Sequence, residues 1–156
     1  MQTLHKEICN IIEDRDCLSF NSVAEFIGCT KQEMSHFKEE GGLGFRKLLR
    51  LSYLLFPTTQ KEVMHGWCLR LNTTEAIKQS FEYASITRDK ELLGKLIEKY
   101  KGEKGVLAKY LSVYSILYRY YMYEFEADQL VSELRKVGPL KDELYILGEI
   151  MKCYNY

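Results

Sequence analysis

The chain has 156 residues, of which 46% are hydrophobic, and its 22 basic side chains balance 22 acidic ones. This composition excludes a disordered tail, and no apolar run approaches the roughly 18 residues that a membrane span needs. The N-terminus lacks the pattern of a signal peptide, so we expect a cytoplasmic protein with no membrane partner. Five cysteines and three histidines stand at irregular spacings without a CxxC or HExxH motif. We therefore expect free thiols, no metal site and no cofactor.

Apolar residues at spacings of three and four predict an all-α fold. In the N-terminal part they predict helices over about 4–13, 22–27, 31–39 and 45–56. Thr30 with Glu33 three positions later forms a capping box that begins the third of these helices. The glycines of 41–44 end it, and Pro57 ends the fourth because its ring cannot donate to the helical ladder. We expect residues 1–57 to form one domain, a helix-turn-helix domain.

Residues 58–156 repeat the order helix, turn, helix. Thr59 with Glu62 predicts a second capping box, and the predicted helices cover about 59–71, 74–84, 89–100, 106–125, 127–137 and 140–154. Paired helices of this length are typical of tetratricopeptide-like (TPR-like) hairpins. Such arrays end in a capping repeat, whereas the last predicted helix has neither a capping glycine nor a polar outer face. We therefore expect an incomplete solenoid from a shortened chain.

The stretch 20–38 has the residue spacing of a helix-turn-helix motif. Counted from Phe20, the small Ala24 is fifth and Gly28 is ninth. The small side chain lets two helices approach closely, and the glycine provides the positive φ of a tight turn. Four apolar residues are expected to close the helix crossing: Val23, Ile27, Met34 and Phe37. The second helix is then free to enter a DNA major groove.

Eight side chains are candidates for DNA contact. In the second helix we expect contacts to bases or phosphates from Thr30, Lys31, Gln32, Ser35 and His36. On the polar side of the following helix we expect phosphate contacts from Arg46, Lys47 and Arg50. The alternative is that the polar residues of the second helix are only the solvated face of a structural helix.

Charge limits the affinity that such a domain reaches. Residues 1–56 carry seven basic and eight acidic side chains, and residues 29–53 carry five basic against three acidic. The positive field is therefore weak, although it lies where the motif predicts. Useful affinity requires either a dimer on a two-fold site or a few well-aimed contacts.

No combination of residues predicts an enzyme. The tyrosines at 110, 114, 118 and 121 recur at helical spacing and are best explained as core residues or as a seam between paired helices. The glycines of 41–44 lack the lysine and hydroxyl residue of a phosphate-binding loop. Glu124, Glu126 and Asp128 have no histidine or nucleophile beside them in sequence. We expect a non-catalytic protein.

Three segments carry a resemblance to a known family. They are Phe45-Arg46-Lys47-Leu48-Leu49-Arg50-Leu51 leading into Phe56-Pro57, then Met64-His65-Gly66-Trp67-Cys68-Leu69-Arg70-Leu71-Asn72, and then Ala76 with Phe81-Glu82-Tyr83-Ala84. In this order the chain resembles the N-terminal part of the arbitrium receptors (AimR family) of temperate Bacillus phages. The resemblance implies an N-terminal domain that binds operator DNA and repeats that bind a short secreted peptide. In such a quorum-sensing system, binding of the peptide favours lysogeny. It also implies location in the bacterial host cell.

The preferred hypothesis is a sequence-specific transcriptional regulator of the phage lysis-lysogeny type, with double-stranded operator DNA as its partner. Family members are more than twice this length. In the family, the peptide pocket and the dimer contacts lie largely in repeats that this sequence lacks. A short signalling peptide, a second copy of the chain and a full-length receptor stay open as further partners. The rival hypothesis is a helical-repeat module that binds a protein or peptide and not DNA. Nearly zero net charge and abundant tyrosine favour the rival.

Overall fold

The computed structural model of the chain describes residues 2–124 and 126–137. Within those ranges the chain forms nine α-helices and no strand, which confirms the all-α prediction. The helices are α1 (Leu4–Asp14), α2 (Phe20–Ile27), α3 (Lys31–Glu40), α4 (Phe45–Leu55), α5 (Gln60–Cys68), α6 (Thr74–Ile86), α7 (Lys90–Tyr100), α8 (Val106–Tyr121) and α9 (Ala127–Val137). None of the helices described is long and apolar enough to cross a membrane. The predicted helix over 140–154 lies outside the described residues.

The chain divides into two compact units, Met1–Leu71 and Asn72–Tyr156. The first unit contains α1 to α5 and so extends past the domain boundary predicted at residue 57. The reason is that α5 packs on α4. The buried Gln60 amide donates to the hydroxyl of Ser52 over 3.1 Å, and the rings of Phe56 and Trp67 meet edge to face with centroids 6.2 Å apart.

Apolar faces of α1 to α4 form the core of the first unit. Its buried side chains include Ile8 and Ile12 of α1, Val23 and Ile27 of α2, Met34 and Phe37 of α3, and Leu48, Leu51 and Leu55 of α4. Helix α3 packs against α1 and α2, and α2 also packs against α4. This core holds α3 by one face only, so its opposite face stays exposed.

The two predicted capping boxes have different outcomes. The box at the start of α3 is confirmed, because the hydroxyl of Thr30 accepts from the Glu33 amide over 3.1 Å and the Glu33 carboxylate accepts from the Thr30 amide over 3.3 Å. The box at Thr59 is wrong. Its backbone angles, φ −121° and ψ 21°, are not the extended ones of an N-cap, and no side-chain cap forms. The turn after Pro57 uses the Thr59 amide to bond the carbonyl of Phe56 instead, over 3.3 Å.

The second unit consists of consecutively packed helices, with α6 on α7, α7 on α8 and α8 on α9, and α6 also contacts α8. The stacked rings of Phe81 and Tyr114 lie at its centre with centroids 5.2 Å apart. Tyr110 stacks on Tyr114 at 6.3 Å and both are buried, whereas Tyr118 and Tyr121, predicted with them, are only partly buried. At Gly94 a Cβ atom would lie 3.0 Å from the hydroxyl of Tyr118, so the glycine permits close approach of α7 and α8. Membership of the TPR class stays a prediction.

Three helices end in the same hydrogen-bonded turn, the Schellman motif, in which the residue after the C-terminal turn is left-handed. After α2 this residue is Gly28, with φ 79°. After α6 it is Arg88, with φ 54°, and after α8 it is Tyr123, with φ 61°. The amides of Arg88 and Tyr123 bond carbonyls three residues back over 3.1 and 3.0 Å, and the next amides bond carbonyls five residues back over 2.8 and 2.9 Å. This turn ends α8 at Tyr121, earlier than the predicted end at residue 125.

Candidate nucleic-acid interface

The turn between α2 and α3 has the geometry that the sequence predicts. Ser19 caps α2 by accepting from the Ser22 amide over 3.1 Å. At the other end the Gly28 amide bonds the carbonyl of Glu25 over 3.3 Å, and the Cys29 amide bonds that of Ala24 over 2.8 Å. Residue 28 has a positive φ, which favours glycine because a residue with a side chain would be strained in that conformation. Helix α3 therefore starts two residues after Cys29 in a direction fixed by this turn.

The interior of the hairpin is also as predicted. All five positions assigned to the crossing of α2 and α3 are nearly inaccessible to solvent: Val23 and Ile27 at 0%, Met34 and Phe37 at 3%, and Ala24 at 4%. Buried apolar area of this kind is the main source of stability for a short helix. The pair of helices α2 and α3 is therefore held to the first unit by its buried apolar side.

The exposed side of α3 carries the five side chains predicted to meet DNA, namely Thr30, Lys31, Gln32, Ser35 and His36. Lys31, Gln32 and Ser35 lie in its first two turns and point away from the core. Thr30 is engaged, since its hydroxyl accepts the Glu33 amide. His36 is also engaged, because its Nδ1 lies 3.5 Å from the Glu40 carboxylate, one helical turn on. The first two turns of α3 are thus suited to base contact, while its last turn is acidic.

Lys47 and Glu33 form an ion pair between α4 and α3. The hydrogen bond from Lys47 lowers the pKa of the Glu33 carboxyl below its ordinary 4.5. The same bond raises the pKa of the Lys47 amine above 10.5. Both groups are charged at neutral pH, and the Lys47 ammonium offsets the one acidic charge in the first turn of α3.

Arg50, another predicted phosphate contact, is used within the unit. Its Nη1 donates to the carbonyl of Ile27 over 3.2 Å, where it meets the negative end of the α2 dipole. The same nitrogen lies 3.1 Å from the position that a Cβ at residue 28 would take. Arg46 is exposed and has no hydrogen bond or ion pair within the described part of the chain. Of the three predicted phosphate contacts, Arg46 is the most available.

Sequence reasoning missed both cross-helix partnerships, Lys47 with Glu33 and Arg50 with the end of α2. It also missed the ammonium of Lys38, which lies 4.1 Å from the ring centroid of Phe20. These contacts join residues that are far apart in sequence, so no local spacing indicates them. No group of three or more histidine, cysteine or acidic residues that could hold a metal ion occurs in the part that the structure describes.

Comparison with known proteins adds a family. A family model described as "AimR transcriptional regulator-like" matches residues 60–156, more than half of the chain. The match begins with α5 and does not include α2 or α3. No curated protein matches the chain, and no solved structure matches it. The resemblance stated from the sequence is confirmed: the chain belongs to the AimR transcriptional regulator-like family.

Proposed function

We propose that the chain binds duplex DNA by placing the first two turns of α3 in the major groove. The observation that carries the proposal is the exposed set Lys31, Gln32 and Ser35 on a helix held to its unit by the opposite face. A glutamine amide pairs with the N6 and N7 atoms of adenine, and a lysine ammonium with guanine or a phosphate. Membership of a family of transcriptional regulators supports this reading.

Phosphate contact is assigned first to Arg46, whose guanidinium is exposed. Glu33 does not oppose the DNA strongly, since the Lys47 ammonium neutralises it. Glu39 and Glu40 at the end of α3 do repel phosphates, so the helix should enter the groove by its N-terminal end. With few available cations per chain, a two-fold site occupied by two copies is the arrangement that gives useful affinity.

The wider role that we propose is regulation of the phage lysis-lysogeny decision, with a signalling peptide acting on members of the family. Its support is the family alone. The DNA proposal is separate, because it rests on α2 and α3, outside the matched residues.

The test begins with selection of a binding sequence from random duplexes, followed by fluorescence anisotropy. Gln32→Ala should weaken binding to the selected site by about 1–3 kcal/mol and relax preference at one base pair. Arg46→Ala should weaken binding to all sequences alike and reduce the salt dependence. Lys31→Ala should weaken binding, whereas Lys61→Ala, a matched charge loss at an exposed position of α5, should not. Equal affinities for all four variants and the natural chain would refute the assignment of α3.

A second candidate function is docking of a partner protein or peptide without DNA contact. The observation in its favour is the exposure of Phe26 at 61% and Tyr53 at 54%, on two helices of the first unit that pack together. A salt titration separates the two functions. DNA affinity should fall as salt rises if α3 contacts phosphates, whereas a docking module should show no DNA binding even at low salt.

A further inference from the structure

A cleft of about 410 Å³ lies in the second unit, beside the turns that follow α6 and α8. Charged and aromatic side chains line it: Arg88, Lys90, Glu126, Tyr120, Tyr121 and Tyr123. Its volume is within the roughly 300–1,000 Å³ of small-molecule sites. The cleft plays no part in the proposed DNA contact, so its function is a separate question.

The backbone of this cleft is unusual at two places. Arg88 and Tyr123 are the two non-glycine residues with positive φ in the described chain, and both line the cleft. Each occupies the left-handed position of a Schellman turn, where glycine is the ordinary residue and where Gly28 stands after α2. Keeping a large side chain there has a conformational cost, and such outliers cluster at functional sites.

The lining of the cleft carries two cationic side chains and one carboxylate, that of Glu126. Arg88 and Lys90 both line it, and Lys90 is the first residue of α7. Ala127, the first residue of α9, is also in the wall. The N-terminus of α7 is already capped, because the Asp89 carboxylate accepts from the Leu92 amide over 3.1 Å. A phosphate or carboxylate in the cleft would meet these two cationic side chains rather than the amides of α7.

The aromatic rings of the cleft indicate that its ligand carries a flat ring as well as a negative charge. The Lys90 ammonium lies 5.2 Å from the ring centroid of Tyr123, and the Tyr123 side chain is 86% exposed. Tyr120 and Tyr121 have ring centroids 6.2 Å apart with planes tilted by 49°, so they do not stack on each other. Rings beside cations are the combination that accepts a nucleobase and its phosphate together. Inorganic phosphate would use the cations and leave the rings unused.

We propose that this cleft binds a mononucleotide. The phosphate monoester would pair with Arg88 and Lys90, and the base would stack on Tyr123 or its neighbouring tyrosine rings. The Glu126 carboxylate would accept a hydrogen bond from a ribose hydroxyl or an exocyclic amine. Because the cleft lies wholly in the second unit, the proposal stands or falls independently of DNA binding by α3.

Isothermal titration of the full chain with AMP, adenosine and inorganic phosphate tests the class of ligand. AMP should bind at least about tenfold more tightly than adenosine, which lacks the charge, and than phosphate, which lacks the ring. No heat from AMP up to about 10 mM would overturn the proposal. Equal affinity for AMP and phosphate would overturn the role of the tyrosines and with it the nucleotide assignment.

Variants then locate the site. Arg88→Gly preserves the left-handed turn and should weaken AMP binding about tenfold without lowering the melting temperature of the second unit. Tyr123→Gly should weaken binding, and Tyr123→Phe should restore it because the ring is kept. Lys99→Ala, at an exposed position of α7 outside the cleft, is the control and should bind as the natural chain does. If Arg88→Gly and Lys99→Ala bind AMP equally, the cleft is not the site.

Discussion

Gly28→Ala tests whether Arg50 stabilises the turn before α3. The substitution places a Cβ atom in the left-handed region at φ 79°, which costs about 1 kcal/mol after allowance for the stiffer unfolded chain. The Cβ also lies 3.1 Å from Nη1 of Arg50, so the guanidinium must shift by a few tenths of an ångström, and we expect its 3.2 Å bond to the carbonyl of Ile27 to be lost. Loss of that hydrogen bond should cost about 1 kcal/mol more. The cost is no larger because Arg50 is exposed, so its guanidinium can bond to water instead. The free energy of unfolding should fall by about 2 kcal/mol in total.

A double-mutant cycle separates the two contributions. Arg50→Ala alone should cost about 1 kcal/mol, and the double variant about 2 kcal/mol, because the bond that Gly28→Ala breaks is already absent. Trp67 is the one tryptophan of the chain and is buried in the first unit, so urea unfolding followed by its fluorescence reports on that unit. Additive costs, about 3 kcal/mol for the double variant, would refute the role given to Arg50.

Three further substitutions test other features. Ser85→Ala should leave the second unit as stable or stabilise it by up to about 1 kcal/mol in denaturation followed by circular dichroism, because the buried hydroxyl has no hydrogen-bond partner in the described part of the chain. A clear loss would mean that the hydroxyl is bonded. Tyr123→Gly should raise the stability of the same unit by about 0.5–1 kcal/mol by relieving its left-handed backbone, and a loss in the same assay would contradict this. Hydrogen bonding to Lys47 lowers the pKa of Glu33, so the stabilisation from this pair is present at neutral pH and is lost as the pH falls through the lowered pKa. Glu33→Gln should therefore be less stable than the natural chain at pH 7, with a difference that shrinks below pH 4.5, and a difference independent of pH would exclude the ion pair as its cause.

The features that the sequence predicted correctly depend on near neighbours in the chain. The start of α3, its capping box and the turn at Gly28 all follow from residues within a few positions of one another. Amphipathic spacing likewise identified the buried positions of α2 and α3. Thr59 is the exception. Its neighbour Glu62 has the right spacing, but the turn after Pro57 sets backbone angles that prevent capping.

The features that the sequence did not indicate depend on contacts between separate helices. Local spacing predicts Glu33 only as a capping residue and Lys47 as a phosphate contact, yet the two side chains are paired across α3 and α4. The cleft of the second unit is assembled from the turns after α6 and α8. Nothing in local spacing shows that Arg88 and Tyr123 take left-handed angles beside one opening, since such angles ordinarily select glycine.

The Glu33–Lys47 pair affects how strongly the affinity of the chain for DNA would depend on salt concentration. A lysine whose charge is already compensated releases no net counterion when it meets the DNA backbone. If Lys31 and Arg46 are the contributing cations, the logarithm of affinity should fall with the logarithm of salt concentration at a slope of about −2 per copy. Replacing Glu33 by a neutral residue would leave the Lys47 ammonium available to contact a phosphate. The affinity for DNA would then rise, and it would fall more steeply as the ionic strength increases.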